Sequence, residues 1–405
     1  MQRVCASITR SKFPLRLFST TTAKMSSCPY KQPAHKLTMI PGPIEFSDEV
    51  LYAMSTPSQA HTSPEFIETF QTSLKNLRKV FKSTDPEAQP YVLAGSGTLG
   101  WDVAASNLVS PGEKVLVLST GFFSDNFAEC LRVHGADVDV VTADLGDVVP
   151  IDTIKQALSK TKYAAITITQ VDTSTAVLSD VEAISKAVKE VSPETLIIVD
   201  GVCSIASEVL DFDKWGVDFA LTASQKAIGV PAGLSIFFAS GRAQKKAEAR
   251  KQTTWFASMK KWAPIMQAYE SGKGAYFATP AVQTVTALKV GLDQILAQGV
   301  DERIKANAVA SDKFKDAMEG LGLKLVAKNR DVAAHGLSAV YWPEGTDGAA
   351  FLGSLAKKGF VVAGGIHKQI VGTYFRVGHM GYSVTQDHVQ RLTEAIKETL
   401  NELKK

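Results

Sequence analysis

From Tyr91 onward the chain alternates short apolar runs with helix-like segments, and this rhythm restricts the fold more than any other feature. Tyr91–Ala94, Lys114–Leu118, Val138–Val141, Ala164–Thr169, Leu196–Val199, Phe219–Ala223 and Leu234–Phe238 read as strands. Segments 98–109, 123–134, 151–160 and 180–191 read as the helices between the earlier ones. The expected fold is α/β: a mostly parallel seven-stranded sheet with helices on both faces. Ligands in such sheets bind beyond the carboxyl ends of the strands.

Three sequence features fall at such ends. Tyr-Val-Leu-Ala-Gly95-Ser96-Gly97-Thr98 runs from a strand into a helix. Its glycines let backbone amides approach an anion, its hydroxyls add donors, and a helix N-terminus favours negative charge. Asp200 follows Leu-Ile-Ile-Val, and Lys226 stands in Ala-Ser-Gln-Lys226-Ala-Ile-Gly229-Val-Pro231 after the strand at 219–223. Each has a plainer reading: a tight β-to-α turn, a helix N-cap and a surface lysine. Together, in that order, they are what pyridoxal 5'-phosphate chemistry requires. Lys226 forms the Schiff base, Asp200 keeps the pyridine nitrogen protonated, and the Gly-Ser-Gly-Thr turn takes the phosphate.

Further candidates carry two readings each. Phe123 is either a core aromatic or a face on which a pyridine ring stacks. Thr173 and Ser174 either line an ordinary loop or hydrogen-bond the ring oxygen. Arg376, in an apolar strand, requires a partner for its buried charge: an internal carboxylate, or that of an amino or keto acid. Residues 1–24 are expected to be a transit segment, 25–57 an N-terminal arm, 58–297 a large domain and 298–405 a smaller C-terminal α/β domain. One long helix over 281–321 is the expected hinge.

Composition bears on compartment and partners. Residues 1–36 hold seven basic residues, and no acid precedes Glu45. Removing those charges takes the formal +3 to −4, so the body is mildly acidic and offers no nucleic-acid surface. The leader, rich in Arg, Ser and Thr, predicts mitochondrial import to the matrix, with Met25 as an internal start for a cytosolic form. The four cysteines show no paired spacing and the seven histidines are dispersed, so neither disulfides nor a metal are expected. No apolar run is long enough to span a membrane.

From Pro41-Gly42-Pro43 to about Leu400 the chain resembles the class V, fold type I aminotransferases that use pyridoxal 5'-phosphate. Ser224-Gln225-Lys226, with Asp200-Gly-Val-Cys-Ser upstream, carries the likeness most specifically. The resemblance implies that Lys226 bears the cofactor and shuttles the proton, and that Asp200 pairs with the ring nitrogen. It puts Ser96, Gly97, Thr98 and Gln225 at the phosphate, Phe123 on the ring, and Ser174 or its neighbour Thr173 at the ring hydroxyl. Gly42 lines the substrate pocket and Arg376 takes the substrate carboxylate. Tyr276 and Thr279 reach the partner's phosphate in a homodimer. Animal members commonly carry Trp where Phe123 stands and His where Thr98 stands. The implied reaction moves the amino group of L-alanine to glyoxylate, with serine–pyruvate or serine–glyoxylate transfer as the alternative. Desulfuration of cysteine is disfavoured, because the last cysteine, Cys203, precedes the lysine.

Overall fold

The computed structural model describes residues 28–403. The expected transit segment and the Met25 start lie outside them. The central sheet has seven strands: β1 (Gln89–Ala94), β2 (Lys114–Ser119), β3 (Asp137–Thr142), β4 (Ala165–Thr169), β5 (Leu196–Asp200), β6 (Phe219–Ala223) and β7 (Leu234–Ala239). Their spatial order is β1-β7-β6-β5-β4-β2-β3. All pairings are parallel except those of β7, which runs antiparallel to both β1 and β6. The central strands β4, β5 and β6 are buried at every position, as expected where helices cover both faces. Edge strand β3 alternates charged and apolar residues, Asp-Val-Asp-Val, and is not buried along its length.

Of the next three helices, the second and third contribute residues to the site. Helix α1 (Pro64–Val80) starts cleanly because the Ser63 hydroxyl accepts from the Phe66 amide and proline occupies the first helical position. Helix α2 (Gly97–Leu108) follows β1, and α3 (Phe122–Val133) follows β2. Where one helix was expected over 281–321 there are two, α4 (Val282–Gln298) and α5 (Val300–Gly320). Gly299 between them has φ +89°, a conformation that breaks the helical hydrogen-bond ladder and that glycine adopts without a Cβ penalty.

A three-stranded antiparallel sheet lies beyond this break: β8 (Leu337–Tyr341), β9 (Ala363–Gly364) and, between them, β10 (Tyr374–Gly378). Its strands share a second apolar cluster with Phe314, Met318, Phe351 and Leu392. Met39 of the N-terminal arm belongs to that cluster, and Leu37–Thr38 pair in parallel with Phe360–Val361. The arm therefore runs from the smaller cluster to the mouth of the large sheet. Among the described residues no helix is long and apolar enough to cross a membrane.

Candidate active site

Strand ends β1, β5 and β6 converge on a cavity of ≈ 140 Å³ lined by Ser96, Gly97, Thr98, Trp101, Phe123, Val171, Thr173, Asp200, Val202, Cys203, Gln225 and Lys226. A larger groove, ≈ 710 Å³, lies between α5 and the last helix, but Glu302, Lys305, Lys313 and Glu394 on its walls form no comparable constellation. The smaller cavity holds the chemistry.

Asp200, the last residue of β5, is fully buried. It accepts from the Trp101 indole (2.8 Å) and from the Val202 amide (2.9 Å). Burial pushes its pKa up to about 6; those two donors and Lys226 pull it down, and Asp172 adds to the rise. Among the described residues no cation hydrogen-bonds this carboxylate, and a protonated pyridine nitrogen would supply one. Between the ordinary 3.8 and about 6 the folded protein holds a proton that the unfolded chain has lost. Stability of the cofactor-free protein should therefore fall as pH rises through that window, by about 3 kcal/mol, and level off above it. Thermal midpoints of cofactor-free wild type and Asp200→Asn from pH 4 to 7 check this: the substitution should flatten the fall.

Lys226 lies in the turn after β6, and its Nζ donates to the Pro41 carbonyl at 2.7 Å. Gly42 is pressed against it. Gly42 has φ +116°, and a Cβ there would sit 2.4 Å from Lys226 Cδ and 2.7 Å from Nζ. Gly42→Ala should cut kcat by about tenfold to a hundredfold by displacing the amine. Kinetics beside a thermal midpoint would separate this from simple unfolding; an unchanged kcat would remove Gly42 from the site.

Ser96 is the N-cap residue of α2, yet its hydroxyl caps no amide. Ser96 and Thr98 are exposed, while Gly97 sits flush against Val202, whose Cγ2 would lie 2.8 Å from an added Cβ. Gln225 has a buried Oε1 with no partner. An amide flip would present its NH₂ at the same place, so it suits an anion. These donors, the amine and the buried acid fit pyridoxal 5'-phosphate.

Two residues that sequence reasoning missed organise this site. Trp101 stands four residues past Gly97, hence on the same helix face, and that spacing was its available signal. Its ring stacks on Phe127 at 5.4 Å and meets Phe123 edge-on at 6.5 Å. Asp172 is fully buried and accepts from the amides of Phe123 and Ser124 at the start of α3. The Ser174 hydroxyl is held in the same network, donating to Asp172 (2.7 Å) and accepting from the Phe122 amide (2.9 Å). Of the two neighbours expected near the ring hydroxyl, Thr173 lines the cavity and Ser174 lies just outside the lining, held in this network. Half-buried Phe123 does line the cavity.

Arg376, in β10, is 8% exposed. Its Nε donates to the Gly364 carbonyl (3.0 Å) and one Nη to the carbonyl of Thr173 (3.3 Å). Both partners are neutral, and burial lowers its pKa. The internal salt bridge that sequence left open is not formed among the described residues, which leaves the cation suited to an incoming carboxylate. Tyr276 and Thr279 lie away from this cavity. Tyr276 is 64% exposed, with its ring 5.1 Å from that of His61, and Thr279 is exposed too.

The family model for class-V aminotransferases matches residues 45–403, and the chain belongs to that family. It is a transaminase that works with pyridoxal 5'-phosphate. It is 53% identical over 355 residues to alanine–glyoxylate aminotransferase 1 of Saccharomyces cerevisiae, covering 85% of this chain and 91% of that one. Serine–glyoxylate aminotransferase of Arabidopsis thaliana is 29% identical over 354 residues, covering 86% of each chain. Alanine–glyoxylate aminotransferase from Nostoc sp. superposes with a TM-score of 0.84 at 27% identity, over 92% of this chain and 97% of that one.

Proposed function

We propose that this transaminase takes the amino group of L-alanine and delivers it to glyoxylate, giving pyruvate and glycine in a two-stage, ping-pong cycle. The 53% identity to the yeast enzyme carries the choice of donor and acceptor. Buried, carboxylate-free Arg376 supports the substrate class, since both substrates carry a carboxylate.

When bound, the cofactor supplies a carbonyl that accepts the amino group and a ring that delocalises the carbanion's electrons. The chain's own groups do the rest. Ser96, Gly97, Thr98 and Gln225 hold the phosphate, and the helix N-terminus adds favourable charge. Asp200 keeps the proton on the ring nitrogen, and Trp101 and Val202 fix its two oxygens. Phe123, on the cavity wall, would offer the ring an apolar face. Arg376 anchors the substrate carboxylate. The Lys226 amine would remove the proton from the substrate's Cα and hold it for redelivery. Pro41 and Gly42 hold that amine in place.

The working unit is read as a homodimer, with exposed Tyr276 and Thr279 reaching the partner's phosphate, and mitochondrial import is read from the leader. The Arabidopsis relative keeps serine as a second candidate donor. Comparing kcat/KM for L-alanine and L-serine with glyoxylate as acceptor tests the choice: alanine should be preferred. A preference for serine would make this a serine–glyoxylate enzyme.

A further inference from the structure

On the outer side of α2 and α3, away from the cavity, three side chains of different chemistry converge. Asp102 of α2 lies 2.9 Å from the Nε2 of His134, the residue that caps α3, and 3.8 Å from the Sγ of Cys130. The three ligand atoms lie within 4.8 Å of one another, and all three residues are half-buried. Cys130 and His134 are four residues apart, one turn of helix, and so share a face.

We propose that Asp102, Cys130 and His134 bind a divalent ion of the zinc class, with water as fourth ligand. One nitrogen, one sulfur and one carboxylate oxygen make a borderline-soft set that suits zinc better than magnesium or calcium. Bond lengths to zinc put the ligand atoms of a tetrahedral ion about 3.3–3.6 Å apart. The Asp102–Cys130 separation is close to that already, and the Asp102–His134 pair needs to open by about 0.4 Å. An Asp–His contact alone explains two of the groups but leaves the thiol with one long contact; a shared ion accounts for all three. Binding replaces the thiol proton, and any second imidazole proton, and both pass to solvent.

The site's position gives it a role. Asp102 adjoins Trp101, which holds Asp200, on the helix whose first turn forms the phosphate cup. Cys130 and His134 close the helix that begins beside Phe123. An ion there ties together the two helices that frame the cofactor. Histidine dispersion gave no hint of it, because the third ligand comes from another helix.

The test is titration of chelator-treated holoenzyme with Co²⁺, following the red d–d absorption of a tetrahedral ion, which is clear of the cofactor's own bands. One equivalent per chain should saturate the signal, and Zn²⁺ should displace it. Cys130→Ser and His134→Ala should each weaken binding at least tenfold, about the loss that even an outer-shell partner causes, while transaminase turnover shows both variants folded. Should either variant fold poorly, mass mapping of wild type supplies the readout: Zn²⁺ should protect Cys130, and not Cys28, from alkylation. Absence of a tetrahedral signal, a signal unchanged in both variants, or equal alkylation of Cys130 with and without zinc would overturn the proposal.

Discussion

Replacing Lys226 with alanine should lower kcat by about 10⁴-fold or more, with the protein still folded. General-base help alone is worth about 10² to 10⁴, and Lys226 is assigned a second task as the covalent attachment of the cofactor. No nearby group takes over. The other titratable groups lining the cavity are Asp200, which is committed to Trp101 and Val202, and the Cys203 thiol, whose pKa burial pushes up. A small exogenous amine should restore part of the rate, because the space vacated beside Gly42 is amine-sized. Borohydride should no longer fix cofactor to the variant. Retention of more than a small fraction of wild-type turnover would remove Lys226 from the proton transfer.

Arg376→Leu should lower kcat/KM for both L-alanine and glyoxylate by about 10³-fold, the scale of truncating one partner of a buried, hydrogen-bonded charge pair. Cofactor content should be unchanged, because Arg376 lies outside the group of residues that hold it. Arg376→Lys should recover only part of the loss, since an ammonium cannot form the two parallel hydrogen bonds of a guanidinium. Steady-state kinetics with both substrates reads this directly. Equal kcat/KM in wild type and the leucine variant would mean that Arg376 is only a structural cation bonded to the carbonyls of Gly364 and Thr173.

The sheet was legible because its strands are short apolar runs set between helices, and all seven appear within about two residues of where the pattern places them. The reversal of β7 was not, since periodicity carries no direction. The break at Gly299 was hidden because apolar spacing continues on both sides of it; only the left-handed φ shows it.

Within the site, Gly95–Thr98, Asp200 and Lys226 stood out because strand ends in such sheets are ligand-binding positions. Ser174 and Thr173 could not be told apart: both stand in the turn 173–176, and the Ser174 hydroxyl is held by Asp172 and the start of α3, contacts that adjacent positions in sequence do not reveal. The part played by Trp101 lay hidden because its bond to Asp200 joins two elements 99 positions apart. The role proposed for Tyr276 and Thr279 lies across a subunit boundary; within one chain both are simply exposed.

The most direct measurement is a single-turnover experiment on the cofactor-loaded enzyme with L-alanine and no keto acid present. One equivalent of pyruvate per chain should form before the reaction stops, and one equivalent of glycine should appear when glyoxylate is added afterwards. Pyruvate that forms only when glyoxylate is present from the start would contradict a chain that stores the amino group between two half-reactions.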